Sequence, residues 1–112
     1  MRIEVRGRNT DVTDELRGHV EKRFSRIGQQ VSELAVLEVE LSEERNPAIR
    51  EDQVAEATLH LKGVTLRACE HATDMGHAIN LVADDLSRQV KKHRHKRRAR
   101  REAHRVAQER AA

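Results

Sequence analysis

The run Ala55-Glu56-Ala57-Thr58-Leu59-His60-Leu61-Lys62-Gly63-Val64-Thr65-Leu66-Arg67-Ala68, with the change of period that follows at Asp74, decides the fold. Ala55, Ala57, Leu59 and Leu61 alternate with Glu56, Thr58 and His60, which is the period of a strand with one face in water. Lys62-Gly63 separates this run from a second alternating one, Val64, Leu66 and Ala68, so the pair predicts a hairpin. From Asp74 onward, Met75, Ile79, Val82, Leu86 and Val90 recur at steps of three or four, the single apolar stripe of an amphipathic helix.

Working back toward the N-terminus, Leu37, Val39 and Leu41 alternate with Glu38, Glu40 and Ser42, a strand expected to start near Glu33. Glu43 to Asp52 is polar and charged almost throughout and holds Asn46-Pro47, so it reads as a mobile loop. Upstream, Thr13 is a candidate N-cap, and Asp14 and Glu15 suit the positive end of a helix dipole. Leu16, Val20, Phe24 and Ile27 form one stripe and Gly28 a stop, predicting a helix over 13–28. Ile3 and Val5 make Arg2 to Gly7 the first strand.

The order is β-α-β-β-β-α, and one apolar stripe per helix is satisfied if both helices cover the same face of one sheet. The expected fold is α+β, a two-layer sandwich. The other sheet face should be wet, carrying Glu38, Glu40, Glu56, Thr58, His60, Thr65 and Arg67, without the aromatic rings on which single-stranded nucleic acid stacks. A chain of 112 residues suits one domain, here divided into a folded part, 1–92, and a basic extension or tail, 93–112, whose order after Ala99 the sequence leaves open. With no Trp or Tyr and only Phe24, the core must be aliphatic and thin.

Charge is arranged unevenly along the chain. Residues 1–86 hold 11 basic and 17 acidic side chains, whereas 87–112 hold 11 basic and 2 acidic, within an overall +3. Such a field points to a polyanionic partner, nucleic acid or an anionic membrane surface. Its centre is 88–101, where Arg88, Lys91, Lys92, Arg94, Lys96, Arg97, Arg98, Arg100 and Arg101 stand without an acid and with His93 and His95 among them. On a helix Arg88, Lys92 and Lys96 share one side and Lys91, Arg94 or His95, and Arg98 another, so phosphates could be met over a broad arc. A solvated tail is the bland alternative, but like charges at this density beside a packed helix are costly without a counter-polyanion. A membrane-surface helix would need large apolar residues opposite the cations, and after Val90 only Val106 is one. Arg23 and Arg26, three apart on the first helix, are placed to face the same partner or to form a salt-bridged surface.

Other constellations are weaker. The cations around His93 and His95 would repel a metal ion. Cys69, the single cysteine, cannot form an intramolecular disulfide, and with His71 two residues away no oxyanion motif accompanies it. Glu38 and Glu40 read as solubilising residues of an exposed strand. No Gly-rich phosphate loop is present, and Met1-Arg2-Ile3-Glu4 lacks the apolar stretch of a secretory signal. The expectation is a cytoplasmic, non-enzymatic protein with no cofactor, no small-molecule substrate and no membrane partner.

Three stretches resemble the ribosome hibernation factor family, that of hibernation-promoting factor and the ribosome-associated inhibitor protein Y, in its short form. They are Gly7-Arg8-Asn9 with Val12-Thr13 and Leu16-Arg17; Ala57-Thr58-Leu59-His60; and Asp74-Met75 with Ala78-Ile79-Asn80, Leu86, Arg88-Gln89-Val90, Lys92-His93 and Lys96. The resemblance spans about residues 1–101. It implies a fold like a double-stranded-RNA-binding domain, and a protein that occupies the decoding channel of the small ribosomal subunit, blocks transfer and messenger RNA, and silences translation under stress or in stationary phase. Carried over by position, the RNA-contacting residues are Arg88, Gln89, Lys92, His93 and Lys96, with Arg23 and Arg26 on the first helix. The charge pattern adds Lys91, Arg94 and Arg97.

Gly76 departs from the aromatic residue usual in the family, and Asp85 from a frequent lysine. Relatives also carry a second domain or an acidic tail, neither of which follows residue 101 here; whether the chain is a complete short form, and whether it favours ribosome dimers, the sequence leaves open. The alternative function is a general double-stranded-RNA-binding or ribosome-assembly protein, using the same helices on any A-form duplex.

Overall fold

In a computed structural model, which describes residues 1–111, strand β1 (Arg2–Arg8) leads through Asn9, in the left-handed region at φ 60°, into helix α1 (Asp14–Gly28). The turn is tight enough to need Gly7, where a Cβ would collide with the Thr10 carbonyl oxygen and come within 3.0 Å of Val12. Thr13 caps α1 as expected, its Oγ1 accepting from the Leu16 amide at 3.1 Å. Helix α1 carries the chain back so that β2 (Val36–Glu43) pairs parallel to β1. Strand β3 (Gln53–Leu61) and strand β4 (Val64–Ala72) complete an antiparallel meander, and helix α2 (Met75–Ala111) follows. The sheet order is β1-β2-β3-β4.

The β-α-β-β-β-α order and the two-layer arrangement are those read from the sequence. Both helices lie on one face, α2 over β3 and β4 and α1 beside α2 toward β1. Alanines at 55, 57, 68 and 72 line the part of the sheet that meets α2, and short side chains there let the helix sit close. Leu37, Val39 and Leu41 of β2, Val20, Phe24 and Ile27 of α1, and Ile79, Val82, Leu86 and Val90 of α2 fill the rest of a core that contains no buried polar side chain among the described residues. Leu16 and the edge-strand residues Ile3 and Val5 are only half-buried.

Boundaries shift in places. Strand β2 begins at Val36 rather than near Glu33, because Ser32 closes a turn: its Oγ accepts from the Leu34 amide at 3.1 Å and its carbonyl from the Ala35 amide at 3.0 Å. The hairpin strands run beyond the expected Ala55 and Ala68, to Gln53 and Ala72, and Gly63 turns between them at φ 79°, a conformation that favours glycine. Asp74 caps α2 with Oδ2 on the His77 amide at 3.1 Å and its carbonyl on the Ala78 amide at 3.0 Å. Helix α2 crosses the expected division at 92/93 without a break and remains helical to Ala111. Val90 is its last buried residue, so the 21 residues after it extend about 30 Å past the packed layers at 1.5 Å per residue. That extension makes the molecule 65 × 28 × 18 Å.

Candidate nucleic-acid interface

Helices α1 and α2 run in the same direction, and their approach is set near the start of α2. His19 Nε2–H donates to Asn80 Oδ1 at 2.8 Å and toward the Gly76 carbonyl at 3.3 Å. Gly76 is crowded by the cap, since a Cβ there would stand 3.1 Å from Asp74 Oδ2. Toward the other end the two helices leave a groove of about 520 Å³ lined by Arg26 and Gln30 of α1 and by Asp84, Ser87, Arg88, Lys91, Arg94, His95 and Arg98 of α2. Steps of three and four place these α2 residues on one stripe beside the buried one. Five permanent cations thus face one concavity with a single carboxylate among them. A groove of this kind can hold the phosphates of a nucleic-acid backbone, with guanidinium forks from Arg26, Arg88, Arg94 and Arg98 and the point charge of Lys91.

The predicted residues divide into groups. Arg26, Arg88, Lys91 and Arg94 are brought together in the groove. Arg23 lies outside its lining, with Nη2 on Asp84 Oδ1 at 3.2 Å. Lys92, Lys96 and Arg97 are exposed on other sides of α2. Gln89 points away from the groove and ties α2 to the sheet: its Nε2 donates to the Arg67 carbonyl at 2.7 Å and to Asp85 Oδ1 at 3.4 Å. His93, one turn later, is half-buried. Arg88 lines the groove with Lys91, Arg94, His95 and Arg98, not only the side it would share with Lys92 and Lys96. Sequence reasoning missed Gln30, Ser87 and Asp84; an i, i+4 step back from Arg88 was the available signal for Asp84.

The opposite sheet face is wet and bears an ion pair of Arg6 with Glu40 at 3.0 Å and a contact of His60 Nε2 with Glu38 at 3.4 Å. Cys69 is exposed there; partial burial pushes its thiol above the ordinary value, and the Glu56 and Glu70 carboxylates add to the shift, so a thiolate nucleophile is disfavoured. Among the described residues no group of three or more His, Cys, Asp or Glu side chains could hold a metal ion, and no helix is long and apolar enough to cross a membrane.

Comparison with known proteins shows the family. Over 107 residues the chain is 36% identical to a ribosome hibernation promoting factor of Azotobacter vinelandii, covering 96% of this chain and 95% of that one. It is 32% identical to a ribosome hibernation promotion factor of Staphylococcus aureus over 96 residues, covering 84% of this chain but 48% of the longer relative. The N-terminal domain of Thermus thermophilus Protein Y is similar in structure, with a TM-score of 0.69 and 31% identity over 82% of this chain and 98% of that domain. Residues 3–98 match the family described as Sigma 54 modulation protein / S30EA ribosomal protein, and the chain belongs to that family.

Proposed function

We propose that this protein is a ribosome hibernation factor that binds the small ribosomal subunit in its decoding channel, excludes transfer and messenger RNA, and inactivates translation under stress or in stationary phase. The observation that carries the reading is the convergence of Arg26 from α1 with Arg88, Lys91, Arg94 and Arg98 from α2 on one groove. The relatives named as hibernation factors support it. Lys92, Lys96 and Arg97 extend the cationic surface beyond the groove along the projecting part of α2, and Arg23 flanks it, so the ribosomal RNA backbone would be met over several phosphates. Gln89, which ties the helix to β4, and half-buried His93 belong to this proposal as residues with contacts to RNA at their exposed edges. The likeness to a double-stranded-RNA-binding domain and a cytoplasmic location are parts of the same proposal.

Occupancy is the whole mechanism: no bond is made or broken, and phosphate contacts supply the affinity while the shape of the two-layer body fills the channel. The test is co-sedimentation with purified ribosomes at moderate salt, with excess unrelated duplex RNA as competitor. Retention despite the duplex, lost when transfer RNA fills the channel, is the expected result. Displacement by any duplex would favour a general RNA-binding protein instead.

A further inference from the structure

We propose that Asp84 makes the groove select ribose over deoxyribose, its carboxylate accepting a hydrogen bond from a 2′-hydroxyl of the nucleic acid whose phosphates the neighbouring cations hold. The inference rests on reading the groove as a nucleic-acid interface. A carboxylate in a phosphate-binding groove is a liability unless it receives something in return, because it repels every phosphate brought near it.

Holding the helices together does not account for it. The Asp84–Arg23 pair is exposed, 61% and 38% at the two side chains, and pairs in that setting contribute little to stability. The helices are already joined by the His19–Asn80 bond and by buried Val20, Phe24 and Val82. Arg23 occupies only Oδ1; among the described residues no bond reaches Oδ2, and the side chain lines the groove.

A carboxylate only accepts, so its partner must be a donor, and along a nucleic-acid backbone the neutral donor is the ribose 2′-hydroxyl. Arg88 lies one helical turn from Asp84, about 5–6 Å between Cβ atoms. A nucleotide held by Arg88 through its phosphate therefore presents its sugar edge to Asp84. RNA recovers in that hydrogen bond what the repulsion costs, and DNA does not.

The test is binding, by fluorescence anisotropy at one salt concentration, of an RNA hairpin, the DNA hairpin of the same sequence and the 2′-O-methyl RNA. The proteins are the wild-type chain, Asp84→Asn and Asp84→Ala. For the wild type the RNA should bind most tightly, and 2′-O-methylation, which removes the donor, should weaken it. In Asp84→Ala the DNA should bind more tightly, the RNA-to-DNA affinity ratio should fall by about tenfold, the scale of a hydrogen bond to a charged group, and 2′-O-methylation should lose its effect. Asp84→Asn, which keeps an acceptor, should retain part of the ratio. Equal gains for RNA and DNA in Asp84→Ala would overturn the proposal, leaving Asp84 purely repulsive, as would wild-type indifference to 2′-O-methylation. Failure of the wild-type chain to bind any of the three would overturn the groove reading itself.

Discussion

Replacing Arg88, Lys91 and Arg94 together by Ala removes three of the five permanent cations of the groove while leaving the fold in place. All three side chains are exposed, none contributes to the core, and Ala is the best helix former, so thermal unfolding should be nearly unchanged. The effect on binding follows from counterion release. For a duplex each neutralised phosphate contributes about 0.9 to the slope of log affinity against log salt, so five contacts predict a loss of about 500-fold between 50 and 200 mM salt. Two remaining contacts predict a loss of only about 12-fold over the same range. Contacts made elsewhere on α2 multiply both figures equally, so the salt response should shrink by about 40-fold whatever Lys92, Lys96 and Arg97 add. The assay is a titration of labelled RNA at four salt concentrations, with Arg67→Ala on the opposite sheet face as the control that leaves the slope alone. A triple variant with the wild-type slope would refute the assignment of the groove.

Three further outcomes follow from named contacts. Gln89→Ala should lower stability by about 1 kcal/mol through loss of the bond to the Arg67 carbonyl, read by urea unfolding, while changing RNA affinity less than Arg88→Ala does. Gly7→Ala should destabilise the fold by more than about 1 kcal/mol, because the new methyl meets backbone at Thr10; a wild-type urea midpoint would show the turn to be adaptable. Cys69 should alkylate more slowly at neutral pH than an unperturbed thiol, and the rate should climb with pH to a midpoint above the ordinary one, since raising the value lowers the fraction of reactive thiolate at any given pH below it; Glu56→Gln should bring that midpoint down.

The layered architecture was legible because it rests on period: alternation at 37–41 and 55–68 and the three-and-four steps of both helices are local properties, as are the Thr13 cap and the Gly63 turn. The start of β2 was not, because Ser32 competes for the backbone with hydrogen bonds that alternation does not report. Good helix formers made a continuation of α2 past Val90 foreseeable, but no buried residue marks where it should stop. The cations of the groove were readable as a charge run; their division between groove and open helix depends on how α1 lies against α2, a tertiary fact fixed partly by His19 and Asn80. Gln89 sits in the cationic run, yet its bond to β4 was not readable there, because it depends on an orientation only the packed helix sets. Asp84 escaped notice because one of two adjacent acids, Asp84-Asp85, before a basic run looks like any helix surface.

Directional cleavage of ribosomal RNA tests the account most directly. A hydroxyl-radical-generating iron chelate is tethered in turn to the native Cys69, on the sheet face, and to Ala99→Cys in a Cys69→Ser background, on the exposed part of α2. The account predicts strong cuts in decoding-region RNA of the small subunit from position 99, weak cuts from position 69, and loss of both when transfer RNA fills the channel. Equal cutting from the two faces, or cuts confined to RNA outside the channel, would contradict it.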